Sequence, residues 1–337
     1  MKKRHIGRRI LVTLLVLILL AAAAFVGIPM TETVKTKTVE NSADWMSKLD
    51  DSLRLSEIVL PGSHDSATQY VQLAFFSKCQ ALSIGEQLEA GVRYLDIRLG
   101  FEDTGDLKTR YFKLMHGFTN CKTGPLPWAD TLYLDAVLEA CYAFLQAHPT
   151  ETVIFAVKQE HGSEPVSQFE TWLNGTVQNR EALWLLTDRI PTLKEARGKL
   201  VLMRRYEDEA GLGEQAGIPL LWPNQNGHDD VSKNVERTDN GSYQLWVQDR
   251  YEYATEDKWN AFRAGLDEAA IQAEDLAIHF LSTKGTLPYG HPYSHAKTLN
   301  QRLLELPSSQ LSGWIVLDFA DAELCEHIWS ANFGQER

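Results

Sequence analysis

The chain is poor in the features that mark several large functional classes. It has four cysteines in 337 residues, none in a C-x-x-C pair or at a Cys/His spacing that reads as a zinc site. It has no glycine-rich dinucleotide loop, no internal repeat and no low-complexity tract. Positive charge is scarce: the net charge is −12, and five of the basic residues (Lys2, Lys3, Arg4, Arg8, Arg9) stand before any acid, so the rest of the chain carries −17. Nucleic-acid binding draws on clustered Lys and Arg that neutralise phosphates and release counterions, so no nucleic-acid partner is expected. The remaining composition, 44% hydrophobic, 10% aromatic and 23% charged, is that of a globular chain and excludes collagen-like, coiled-coil and disordered readings.

One long hydrophobic run is present, Ile10 to Phe25 (ILVTLLVLILLAAAAF), continuing to Pro29. Basic residues before it and small residues at Ala22 to Ala24 fit a signal peptide, and its length also suits a membrane anchor. Residues 1–30 are therefore expected to export the body, which is either secreted or tethered to the outer face of the cytoplasmic membrane. Residues 31–45 are polar and read as a linker, and 46–337 as one catalytic domain. Disulfides are permitted outside the cytoplasm. Cys79 and Cys121 lie in polar, loop-like contexts and are expected to pair, whereas Cys141 and Cys325 fall on helical patterns.

From residue 56 onward, short apolar runs alternate with helical patterns. Strands are expected at 58–60, 93–99, 111–115, 152–157, 200–204, 243–248, 277–282 and 314–319, and helices at 134–147, 257–272, 297–306 and 322–330. This alternation predicts an α/β fold, a distorted (β/α)8 TIM-type barrel in a single domain, with an open α/β sheet as the competing arrangement. In a barrel, residues at the C-terminal ends of the strands meet at one mouth. His64 and Asp65, Asp96 and Arg98, His116, Lys158 and Glu160, Arg204 and Arg205, Asp249 and Tyr251, and Asp318 all fall there.

Two imidazoles, carboxylates and several cations at one mouth suit cleavage of a phosphodiester. One imidazole takes a proton from the nucleophile, the other gives one to the leaving oxygen, and cations hold the phosphate. Taken singly, each residue also has a plain structural role open to it: a loop histidine, a solvated strand end, or, for Asp318, a helix N-cap.

The serial order of five segments carries a resemblance. Leu60 to Ser66 (LPGSHDS), Gln87 to Leu99 (QLEAGVRYLDIRL), Met115-His116-Gly117, Thr152 to Glu160 (TVIFAVKQE) and Gly198 to Arg205 (GKLVLMRR) resemble the catalytic region of bacterial phosphatidylinositol-specific phospholipases C. The resemblance runs from about residue 50 to 320 and is thin between 206 and 240. It implies cleavage of phosphatidylinositol to diacylglycerol and inositol 1,2-cyclic phosphate, with the inositol 2-hydroxyl as nucleophile. His64 then matches the general base with Asp318 behind it, His116 the general acid paired with Asp65, and Arg98 the phosphate ligand. Lys158, Arg205, Asp249 and Tyr251 match positions that grip the inositol. Arg205 is chosen over Arg204 because it shares a strand face with Val201 and Met203.

Arg98 stands where calcium-dependent relatives place a second carboxylate, so the resemblance implies the metal-independent branch, with no cofactor. The expected partner is an inositol phospholipid at a membrane surface, met by a monomer. Phe75 and Phe76, and the segment 285–293 with Pro288-Tyr289 and Pro292-Tyr293, are candidate membrane contacts. Two other functions compete: a metal-dependent glycerophosphodiester-type phosphodiesterase, which Arg98 and Lys158 oppose, and a non-catalytic headgroup-binding barrel, which the intact set of acid, base and phosphate ligands opposes.

Overall fold

The computed structural model describes residues 2–35, 37–102, 111–162, 164–225, 235–268, 275–287 and 290–333. Its strands are β1 (Leu60–Ser63), β2 (Tyr94–Glu102), β3 (Tyr111–His116), β4 (Thr119–Asn120), β5 (Val153–Gln159), β6 (Trp184–Leu185), β7 (Leu200–Arg204), β8 (Ile218–Pro219), β9 (Glu236–Asp239), β10 (Gln244–Gln248), β11 (Leu276–Phe280) and β12 (Trp314–Leu317). The helices are α1 (Lys2–Thr31), α2 (Ala74–Ser77), α3 (Ile84–Glu89), α4 (Leu134–Ala147), α5 (Val166–Gln178), α6 (Leu193–Ala196), α7 (Thr255–Glu268), α8 (Pro292–Glu305) and α9 (Ala322–Trp329).

Parallel pairing runs β7-β5-β2-β1-β12-β11-β10. β6 and β8 pair with the lower and upper halves of β7 and together make one further position, and β9 pairs antiparallel with β10 at the other end of the path. The sheet curls into a barrel whose ladder is open at one seam among the described residues, with β6 and β8 on one side and β9, antiparallel to β10, on the other. Side chains close that seam. Asn240 accepts from the Leu221 amide at 2.7 Å and donates to its carbonyl at 3.1 Å, Tyr243 donates to the Pro219 carbonyl, and Gln225 donates to the Val247 carbonyl at 3.2 Å.

The period-2 pattern of the strands separates two apolar layers. Leu60, Tyr94, Ile154, Ala156, Val201, Met203, Leu245, Val247, Ile278, Phe280, Trp314 and Val316 fill the interior, with Trp45 and Met46 among them. Leu95, Ile97, Leu99, Phe155, Val157, Leu200, Leu202, Ile315 and Leu317 face outward to the helices. α4 shows why the helices cover them: Leu134, Val137, Leu138, Cys141, Tyr142 and Leu145 recur at helical spacing and are buried together. Gly62 is required on the inner face, because a Cβ there would lie 2.9 Å from the Tyr94 ring.

Several sequence expectations change. The segment at 111–116 is not a barrel strand: β3 runs antiparallel to β2 and, with β4, forms an arm off the barrel path. The helix α5 was not anticipated, and α8 begins five residues earlier than expected, at Pro292, whose ring suits a first helical turn. Part of the expected polar linker packs on the body: Glu32, Val39 and Trp45 are buried, and Lys35 pairs with Glu323 at 2.6 Å. The Cys79–Cys121 disulfide is absent. All four thiols are free and buried; Cys121 packs in the outer apolar layer, while Cys79 lines the cavity at the barrel mouth. Among the described residues no helix is long and apolar enough to cross a membrane; the side chains of residues 19–24 lie outside the described set, as do Pro288 and Tyr289.

Candidate active site

The inward parity that fills the barrel continues past the strand ends and delivers the polar residues. On β2, Tyr94 is followed inward by Asp96 and Arg98; on β5, Ile154 and Ala156 by Lys158; after β7, Val201 and Met203 by Arg205. The ends of β1, β10 and β12 add His64, Asp249 and Asp318 in the same way. A cavity of about 710 Å³ opens at this end, lined by His64, Arg98, His116, Lys158, Arg205, Asp249, Tyr251 and Asp318, with Cys79 and Phe76 at its edge. Arg204, of opposite parity, donates instead to the Tyr206 carbonyl.

His64 Nδ1 lies 2.8 Å from Asp318 Oδ1, and its Nε2 faces Arg98 Nη2 at 3.0 Å and Asp65 Oδ2 at 3.2 Å. In the neutral ring, Nδ1–H donates to Asp318 and the Nε2 lone pair accepts from Arg98 Nη2 at the edge of the cavity. Burial pulls the His64 pKa down, but the Asp65 and Asp318 carboxylates outweigh both burial and the Arg98 charge and raise it above that of a free imidazole. Asp318 is free for this role because Asp321, not Asp318, caps α9, accepting from the Leu324 amide at 2.9 Å.

His116 reaches the mouth from the β3–β4 arm. Its Nδ1 donates to the Ser77 carbonyl at 2.8 Å, and its Nε2 lies 3.5 Å from Asp65 Oδ2. A carbonyl only accepts, so a proton on Nε2 makes this ring an imidazolium, and Asp65 is placed to stabilise it. The two imidazole centroids are 6.4 Å apart with Asp65 between them. Asp65 is buried and sits at φ 43°, a left-handed conformation that an L residue adopts only when its surroundings hold it. Its amide donates to Asp96 Oδ2 at 3.2 Å and its carbonyl accepts from Thr68 Oγ1 at 2.6 Å.

Arg98 is held by three carboxylates: Asp96 at 3.0 Å, Asp65 at 3.1 Å and Glu160 at 3.3 Å. Glu160 also takes Lys158 at 2.6 Å and the Gly117 amide at 3.0 Å. Burial pushes the Asp96 and Glu160 carboxyls up, but the adjacent cations prevail and hold both well below the usual range. Burial opposes the Arg98 charge, but Asp65, Asp96 and Glu160 prevail and raise its pKa. His64, Asp65 and Cys79 are the one trio of metal-ligating side chains that come together among the described residues. The Arg98 guanidinium already stands against two of them, so the charge that a divalent ion would bring is in place, and burial beside Asp318 and Asp65 pushes the Cys79 thiol well up.

Sequence reasoning missed three groups. Trp222 stacks its ring 3.8 Å from the Arg205 guanidinium and donates to Asp249 Oδ2 at 3.2 Å, tying two headgroup candidates together across the open seam. Asn224 accepts from the Tyr251 hydroxyl at 3.0 Å. Gln80, fully buried, donates to the His64 and Leu317 carbonyls at 2.8 Å each and accepts from the Ala320 amide at 3.1 Å, clamping the ends of β1 and β12. Trp222 and Asn224 lie in the stretch without clear pattern, and no local signal marks Gln80. Phe75 and Phe76 are half-buried against Phe25 and His291, while the more exposed apolar side chains near the mouth are Leu73 and Phe118.

Comparison with known proteins agrees with this geometry. Residues 55–206 match the family model described as phosphatidylinositol-specific phospholipase C, X domain. The 1-phosphatidylinositol phosphodiesterase of Staphylococcus aureus is 27% identical over 304 residues, covering 85% of this chain and 89% of the relative. That of Listeria monocytogenes is 26% identical over 321 residues, 88% of each chain. A solved structure of the phosphatidylinositol-specific phospholipase C from Staphylococcus aureus superposes with a TM-score of 0.69 at 24% identity, covering 86% of this chain and 98% of that one. The barrel, the matched segments and the relatives agree: residues 55–206 match the X domain of phosphatidylinositol-specific phospholipases C, and the chain is similar to that family along most of its length.

Proposed function

We propose that the protein cleaves phosphatidylinositol at the phosphodiester, without a metal, by intramolecular attack of the inositol 2-hydroxyl. The observation that carries the reading is a pair of imidazoles 6.4 Å apart, sharing one buried carboxylate, with a guanidinium against the first. His64 Nε2 takes the proton of the 2-hydroxyl while Asp318 holds Nδ1–H and stabilises the imidazolium that forms. The hydroxyl oxygen bonds to phosphorus, the bond from phosphorus to the glycerol oxygen breaks, and His116 Nε2 protonates the departing diacylglycerol oxygen. The second product is inositol 1,2-cyclic phosphate. Arg98 turns its cationic edge to the phosphate and needs no reorganisation, being fixed by Asp96, Asp65 and Glu160. Lys158, Arg205, Asp249 and Tyr251 line the remainder of the cavity and hold the inositol hydroxyls.

The substrate lies in a membrane, and exposed apolar side chains gather on the matching face. Leu73 follows β1, Phe118 joins β3 to β4, Leu126 and Trp128 follow β4, and Leu287 follows β11; all are well exposed. With a body at −17, such contacts and not charge attraction support docking on an anionic surface. Residues 1–30 serve as a signal peptide or anchor that delivers the body outside the cytoplasm, where sequencing the N-terminus of the exported protein distinguishes the two. The decisive experiment is phosphorus NMR of the reaction on phosphatidylinositol with chelator present. A cyclic phosphodiester resonance is expected; no turnover, or turnover only after calcium is restored, overturns the reading.

A further inference from the structure

Beside the catalytic cavity lies a second hollow of about 640 Å³ that the headgroup chemistry does not use. Phe25, Pro29 and Met30 at the C-terminal end of α1 form one wall, Leu126 the other, with Leu73 and Phe76 also lining it. The α1 wall is fixed in place by buried groups. Lys78 Nζ donates to the Pro29 carbonyl at 2.7 Å and the Glu32 carbonyl at 2.9 Å, and Glu32 Oε1 meets His291 Nε2 at 2.6 Å. Both Lys78 and Glu32 are buried, and the Phe25 ring packs 5.0 Å from Phe75 and 5.6 Å from Phe76.

The hollow adjoins the catalytic cavity, and Leu73 and Phe76 line both. Ser77, the next residue, orients His116 through its carbonyl. If phosphatidylinositol is the substrate, the reading on which this inference rests, His116 Nε2 marks the departing glycerol oxygen, so the lipid tail leaves the headgroup pocket on the side where the groove begins. The charges of Lys78 and Glu32 already have partners there and Lys122 also lines the hollow, whereas Met30 and Leu126 are 55% and 44% exposed to water. An apolar guest that follows a phosphoglycerol is an acyl chain. We propose that, in the chain that retains α1 as an anchor, the groove between the end of α1 and the loop after β4 binds the glycerol-proximal methylenes of one acyl chain, so that catalytic efficiency depends on the chain as well as on the headgroup. The volume is within the range of small-molecule sites, and each methylene removed from water against apolar walls strengthens binding.

The test uses a series of short-chain phosphatidylinositols lengthened one methylene at a time and kept below the concentration at which each aggregates, beside a nitrophenyl phosphodiester of inositol that has no acyl chain. With the full chain, kcat/KM is expected to rise about two- to fourfold per methylene over the first members. Met30→Asp and Leu126→Asp, both exposed positions, should flatten that rise while the nitrophenyl ester is still turned over, which also reports that the variants are folded. Leu287→Asp, on the same face but outside the groove, should keep the slope. A flat series with the parent protein, or equal flattening by Leu287→Asp, overturns the groove while the headgroup chemistry stands. Failure of the parent protein on the nitrophenyl ester and on every lipid overturns the underlying reading, and the groove with it.

Discussion

Asp318→Asn isolates the part of the site that depends most on a single contact. Asp318 is nearly fully buried, and its Oδ1 sits 2.8 Å from His64 Nδ1. The substitution keeps shape and hydrogen-bonding reach but removes the charge, and an amide can present its NH2 to Nδ1 and stabilise the wrong tautomer. In the comparable arrangement of serine hydrolases this change lowers turnover by roughly 10⁴-fold; here Asp65 remains beside the ring, so a loss of about 10²- to 10⁴-fold is expected. The sign of the pH effect follows from the causes of the shift. Asp318 is among the groups that raise the His64 pKa, so its removal lowers that pKa. A general base must be unprotonated, and activity therefore rises with pH through the His64 titration. The acidic limb of kcat/KM should move to lower pH in the variant. The assay is a pH–rate profile on the soluble nitrophenyl ester, which avoids pH effects on vesicles. An acidic limb that stays in place or moves upward refutes the pairing of Asp318 with the base.

Four further outcomes are expected. Arg98→Lys keeps the charge but loses the forked donors now engaged by Asp96, Asp65 and Glu160, and should lower kcat by roughly 10²- to 10³-fold in steady-state assays; a change under twofold removes it from the phosphate site. The nitrophenyl leaving group needs little protonation, so it should rescue His116→Ala far more than His64→Ala, and equal rescue contradicts the assignment of acid and base. Trp222→Leu removes both the stack on Arg205 and the bond to Asp249, and should raise KM for the ester roughly tenfold with a smaller change in kcat; an unchanged KM shows that Trp222 does not position the headgroup ligands. Finally, all four thiols should be found free by mass spectrometry of the unreduced protein, and slow to alkylate until it unfolds, because burial pushes each thiol up; a Cys79–Cys121 cross-linked peptide contradicts the structure.

What the sequence by itself determined is the part governed by period and order. Alternation along β2, β5 and β12 separates the inner from the outer layer, and the same parity, carried one or two residues past the apolar run, delivers Asp96, Arg98, Lys158 and Asp318 to the mouth. Strand parity alone also distinguishes Arg205 from Arg204. The rest rests on contacts between segments far apart in the chain, which local pattern does not encode. That β3 turns back as an arm, carrying His116 over the mouth, follows from its pairing with the far end of β2, and an apolar run reads alike in either strand direction. The free state of Cys79 and Cys121 follows from which layer each side chain enters, not from the polarity of its neighbours in sequence. Asp65 serves both imidazoles only because its left-handed backbone turns the carboxylate between them, and Trp222 joins Arg205 to Asp249 only because the sheet is open there and a ring must span what a strand pair would have filled. The groove beside the site arises in the same way, from a terminal helix that meets the rim across some forty to a hundred residues of intervening chain, where packing and buried charge pairing choose the neighbour and periodicity has nothing to say.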